Sequence, residues 1–202
     1  NANTPTLLTD NKELLEQKIN EEFPTIVISQ TATLQQLKDI FADELERRKE
    51  QIITEQITAI KDYRLFEDIN STFEQILDNS LYDTPLMLEW NTWRAMTMLD
   101  GGNIKANLKF DDFGSPMSTA QGNMADIVCD YDSFGLTVEV TMQSGQRQYE
   151  TEGEPVTRHL AKVKRETTKP AYCLFIAPNI NEACIAHFYA LHKMNISYYG
   201  GT

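Results

Sequence analysis

The chain has 202 residues, enough for one substantial core and a small attached helical segment. Apolar residues make up 41% of it, which excludes a disordered chain, and no apolar run approaches the ~18 residues that a membrane span requires. Eighteen basic against thirty acidic side chains give a net charge of −12, which excludes a broad positive field able to hold a polyanion unaided.

The polar segment 1–12 reads as a frayed end without the basic start and apolar stretch of a signal peptide. Leu34, Leu37, Ile40, Phe41 and Leu45 then recur at helical spacing. The charged stretch 44–50 intervenes before Ile52, Ile53, Ile57 and Ile60 resume the stripe. A third helical pattern runs from Tyr63 through Phe66, Ile69, Phe73, Ile76 and Leu77 to the turn formers Asp78, Asn79 and Ser80. Residues 1–80 therefore form a helical linker or partner-docking region, and 81–202 a separate domain that lacks a C-terminal edge.

Pro85 suits the first turn of a helix through Leu88, Glu89, Trp90, Trp93, Met96 and Leu99, which Gly101 and Gly102 stop. Residues 104–110 alternate as a half-exposed strand, and 111–122 form a loop. Candidate strands 125–131 and 136–141 flank a hairpin turn at 132–135. A polar stretch from Gln143 leads to a helix over 154–166. The apolar run 172–177 reads as a central strand covered on both faces. A helix starting at 179–181 and an extended piece at 196–199 complete an α/β layer domain with a mixed sheet. Cys129, Cys173 and Cys184 sit in apolar segments without metal-ligand spacing, so they read as buried free thiols in a reducing, cytoplasmic setting.

Period-two alternation puts Thr137, Glu139 and Thr141 on one strand face, opposite Leu136, Val138 and Val140. Glu139 is then a charge within an apolar strand, where an unpaired carboxylate is costly. Asp126 begins the preceding strand; whether it meets Glu139 depends on register. Two adjacent carboxylates repel unless they share a proton or a cation, and Mg²⁺ or Mn²⁺ suits such oxygen donors. The alternative is that Asp126 caps a turn and Glu139 pairs with Arg147 or Lys162. Glu89 either adds a third carboxylate or lies on the wet edge of its helix. Glu150, Glu152 and Glu154 precede a helix start and face its positive end. Arg158, His159, Lys162, Lys164 and Arg165 form a dense basic run, either a solvated helix face or a phosphate-facing strip. His187 and His192 read as structural.

Three segments are more specific than an acid pair: Gly122-Asn123-Met124-Ala125-Asp126, the strand Leu136-Thr137-Val138-Glu139-Val140-Thr141, and Glu152-Gly153-Glu154-Pro155-Val156 leading to Arg158-His159. With the strand end Leu174-Phe175-Ile176-Ala177-Pro178, they resemble the cleavage domain of the type IIS restriction endonucleases and their nicking relatives, the group that includes AlwI, MlyI and the BstNBI-like nickases. The resemblance covers roughly residues 86–196.

It implies a PD-(D/E)XK restriction-endonuclease-like three-layer α/β core with a central mixed sheet, preceded by a helical N-terminal region. It implies Asp126 and Glu139 as Mg²⁺ ligands (Mn²⁺ substituting), Glu89 as the upstream acid, and Glu152 and His159 as further catalytic positions. The implied reaction is hydrolysis of double-stranded DNA, one strand per active site, by a cleavage domain or by the small subunit of a heterodimer. A larger subunit or separate domain would supply sequence recognition. Two departures stand out: Ala125 replaces the usual proline, and Thr141 stands where many members have lysine, leaving Gln143, His159 or a second ion to polarise water. Two other classes stay open, a non-catalytic partner-binding subunit and a metal-dependent phosphoesterase for small substrates. The loop 111–122 and the basic run favour a large substrate.

Overall fold

The computed structural model describes residues 8–62, 65–119, 122–194 and 196. After a 3-10 turn at Leu8–Asp10, Asn11 starts helix α1 (Lys12–Glu22) by accepting the Leu14 amide on its side chain. Leu15, Ile19 and Phe23 follow at four-residue spacing and close on Ala32 and Leu37. The sequence pattern left α1 unmarked, because its apolar stripe is one residue wide.

Helix α2 (Leu34–Ile60) is continuous through the charged stretch that separates its two apolar runs. Its charges pair along the solvated face, with Lys49 Nζ 2.7 Å from Glu46 Oε2, and do not interrupt the backbone. The chain forms two compact units, and their boundary falls inside this helix. One comprises the described residues of Asn1–Thr54 with Asp112–Gly114, the other those of Glu55–Asp111 and Ser115–Thr202. The end of α2 and helix α3 (Phe66–Leu77) thus join the larger unit, because Ile57, Ile60, Ile69 and Phe73 lie in its main core. The functional division expected at residue 80 differs from this compact one.

In the larger unit, helix α4 (Thr84–Leu99) starts at Asp83, whose side chain accepts the Leu86 amide, with Pro85 in the first turn. Asp100 and Gly101 turn the chain out at positive φ. Strand β1 (Gly102–Ala106) follows, then a small hairpin of β2 (Lys109–Phe110) and β3 (Pro116–Ser118). The expected strand over 104–110 is therefore two strands, and the expected loop contains a third. Strands β4 (Ile127–Tyr131) and β5 (Gly135–Val140) form the expected hairpin.

Helix α5 (Gly145–Glu166) begins nine residues before the expected start. Pro155 reads locally as a first-turn residue, yet here it sits inside the helix. Contacts made by Gln148 and Glu152 on the inner face hold the turns before it. Strand β6 (Ala171–Ile176) and helix α6 (Glu182–Lys193), capped by Asn181, complete the described elements. Of the extended piece expected at 196–199, all but Ile196 lies outside the described residues.

The main sheet has the order β1-β4-β5-β6, antiparallel except for the β5–β6 pair. Among the described residues β6 is thus an edge strand, not a central one. Its apolar run is used by its helix-facing side, where Phe175 meets Phe188 of α6 at 5.4 Å, while Tyr172 and Leu174 are exposed. Leu136, Val138 and Val140 join the core with Trp93 and Met96 of α4. Thr137, Glu139 and Thr141 face α5, giving three layers, helix, mixed sheet and helix. No helix among the described residues is long and apolar enough to cross a membrane.

Candidate active site

Strand β5 delivers alternate side chains to α5, and α5 answers with residues spaced along its inner face. His159 Nδ1 lies 3.0 Å from Glu139 Oε1 and 3.3 Å from Oε2. The Thr141 hydroxyl donates to Glu152 Oε1 at 2.9 Å. Two residues further, the Gln148 amide donates to the Gln143 carbonyl at 2.8 Å. These three rungs join 139, 141 and 143 on the strand side to 159, 152 and 148 on the helix. The two periods, two and ~3.6, meet along one line.

The hairpin register pairs Ile127 with Val138, so one step further Asp126 stands across from Glu139 on the same face. Asp126 Oδ2 accepts the Val140 amide at 2.6 Å. Burial pushes the Asp126 carboxyl up to about 7, opposed by that amide and reinforced by Glu139 and Glu152. Burial likewise raises Glu139, against the hydrogen bond from His159.

Asp126, Glu139, Thr141, Glu152 and His159 line one cleft of about 250 Å³ with Glu89, Gln143 and Met124. Glu89 is 4% exposed, so it is not the wet edge of α4. Neither Arg147 nor Lys162 pairs with Glu139; His159 does, and it is thereby turned inward from the basic run. Glu150, Glu152 and Glu154 lie well within α5 and do not face its N-terminus. Glu154 instead pairs with Arg158 at 3.1 Å, and Arg158 also reaches the side chain of Asn123, a residue at positive φ beside the cleft.

Gln148 went unnoticed in the sequence. A glutamine amid polar residues carries no local signal, although its i, i+4 spacing to Glu152 was available. The cysteines are free; burial pushes Cys129 up to about 11 and Cys173 to about 12, so both are neutral thiols.

Among the described residues no three His, Cys, Asp or Glu side chains already stand in metal-ligating arrangement. The chemistry of the cleft still suits a hard divalent cation. Its donors are carboxylate oxygens, and the raised Asp126 and Glu139 carboxyls show a cost of negative charge that a cation would relieve.

A mixed sheet between helix layers, with carboxylates gathered at the end of one hairpin, defines a restriction-endonuclease-like fold. The model of the AlwI restriction endonuclease family matches residues 2–200, and the chain belongs to that family. The small subunit (R.BspD6I2) of the heterodimeric restriction endonuclease R.BspD6I is similar in structure, with a TM-score of 0.56 and 31% identity. That similarity covers 60% of this chain and 64% of that subunit, just under two thirds of its length. No curated protein matches the chain.

Proposed function

We propose that the chain is the cleavage module of a type IIS DNA endonuclease, hydrolysing one strand of double-stranded DNA per active site. The observation that carries this reading is the cleft where Asp126 and Glu139 face each other with Glu89, Glu152 and His159 on its walls. Asp126, Glu139 and Glu89 would hold Mg²⁺, or Mn²⁺ in its place. When bound, the cation would lower the pKa of a water and neutralise charge developing on the phosphoryl oxygens. The chain's residues hold that arrangement in place. The Val140 amide fixes one oxygen of Asp126, His159 orients Glu139, and Thr141 orients Glu152.

The net charge of −12 gives the module little attraction for DNA, so we assign sequence recognition to a larger partner subunit or domain. Residues 1–80 are the proposed linker or docking region and 81–202 the nuclease domain.

The test is incubation with supercoiled plasmid and Mg²⁺ or Mn²⁺, with and without a sequence-reading partner subunit. Nicking that requires the metal and is lost in both Asp126→Ala and Glu139→Ala supports the proposal. Cleavage unaffected by either substitution sinks the site assignment, and no cleavage under any condition leaves a non-catalytic subunit as the better reading.

A further inference from the structure

Gln148 is fully buried in the first turn of α5, and all three of its hydrogen-bonding groups are engaged with backbone. Nε2 donates to the carbonyls of Gln143 at 2.8 Å and Asn179 at 2.9 Å, and Oε1 accepts the Asn181 amide at 2.7 Å. This pattern fixes the orientation of the amide, since a flipped group would set its oxygen against two carbonyls. A buried glutamine is costly unless it is satisfied in this way.

One end of the clamp is the β6–α6 turn, which stays anchored because Asn181 also caps α6. The other end is Gln143, the last cleft residue after β5. Gln143 is held at both backbone groups. Its N–H donates to Thr141 Oγ1 at 3.0 Å, and that hydroxyl donates onward to Glu152, while its carbonyl takes the Gln148 bond. A directed chain of bonds thus runs from the turn to the acid wall of the cleft. The exposed Gln143 side chain is displayed at the cleft from a fixed backbone. Thr141, two residues earlier, has no amine to offer a reacting water or phosphate.

We propose that Gln148 is a positioning residue for the cleavage reaction. It fixes Gln143 so that the Gln143 side-chain amide meets the attacking water or the phosphate, in the role a lysine at 141 would fill. This rests on the nuclease reading above.

The experiment is a double-mutant cycle on single-turnover plasmid nicking in the presence of the sequence-reading partner subunit. It uses Gln148→Met, which keeps the side chain's length and removes its amide, and Gln143→Ala, which alters only an exposed side chain. Both variants should bind DNA as the wild type does. Each should cut about 10- to 100-fold more slowly, the scale of a small misplacement at a reacting centre. Gln148→Met should cost nothing further in the Gln143→Ala background. Additive losses, or a folded Gln148→Met with the wild-type rate, overturn the proposal. If Gln148→Met does not fold, Gln143→Ala alone decides, because cutting at the wild-type rate removes the group through which Gln148 acts. Wild-type protein that never cuts overturns the nuclease reading and this inference together; a cutting wild type matched by Gln143→Ala overturns this inference alone.

Discussion

Glu139 and His159 lie twenty residues apart in sequence, yet Oε1 and Nδ1 stand 3.0 Å apart, and both side chains are nearly buried. The pair joins β5 to α5 at the cleft wall. It also orients the Glu139 carboxylate, leaving His159 Nε2 buried with no protein partner among the described residues. Removing His159 leaves a buried carboxyl without its main hydrogen bond. His159→Ala should lower stability by about 1–3 kcal/mol, more than an average surface substitution. Urea unfolding of the two proteins measures it, and equal midpoints would show that the pair contributes nothing.

Asp126 sets a pH dependence of the metal-free protein. Its carboxyl is raised to about 7 when folded, whereas an unfolded chain ionises it near the ordinary value of 3.8. Between those values the folded state binds more protons, so stability falls as pH rises from about 4 to 7 and is level beyond. Asp126→Asn removes this contribution. The variant should be the more stable one at pH 8 in EDTA, and its advantage should vanish near pH 4. Thermal melts across that range test it; an advantage that grows toward acid contradicts the sign.

A divalent cation should reverse the penalty. Mg²⁺ or Mn²⁺ at pH 8 should raise the melting temperature of the wild type, increasingly with concentration, because binding to the folded state alone adds stability. Chelation should return the melt to its starting point without unfolding the protein. Asp126→Asn and Glu139→Gln should lose the shift. Equal shifts in all three proteins would place the ion elsewhere.

Gly102 gives a prediction independent of function. A Cβ there would lie 2.7 Å from the Asp130 carbonyl and 2.7 Å from Tyr131 Cδ1, where β1 enters the sheet beside β4. The backbone carbonyl cannot yield without disturbing the ladder. Gly102→Ala should therefore destabilise the protein by roughly 1–3 kcal/mol, as overpacking does. Gly122→Ala, with nothing near its Cβ, is the matched control, and chemical denaturation compares them.

The chain's own order of residues carried the local features. The 3–4 residue recurrence of leucine, isoleucine and phenylalanine marks α2 and α3, and that of leucine, tryptophan and methionine marks α4. The alternation across 136–141 places Glu139 on the face opposite Val138, and the turn formers after Tyr131 mark the hairpin turn, which runs from Asp132 to Phe134. Each depends on neighbours within a few residues, so a one-dimensional pattern suffices. The three segments around Asp126, Glu139 and His159 also carried the family resemblance.

What stayed hidden depends on contacts across the fold. Period two tells which residues of a strand share a face, but not which residue stands opposite on the next strand. Only the pairing of Ile127 with Val138 brings Asp126 across from Glu139. Pro155 reads locally as a helix start, and only packing against β5 extends α5 back to Gly145. The run 172–177 is as apolar as a central strand, and only the sheet order makes it an edge among the described residues. Gln148 has no local signature, since its role consists of bonds to residues five, thirty-one and thirty-three positions away. Secondary structure is written by neighbours along the chain, whereas register, helix extent and buried polar partners are chosen by whichever packing satisfies every buried group at once.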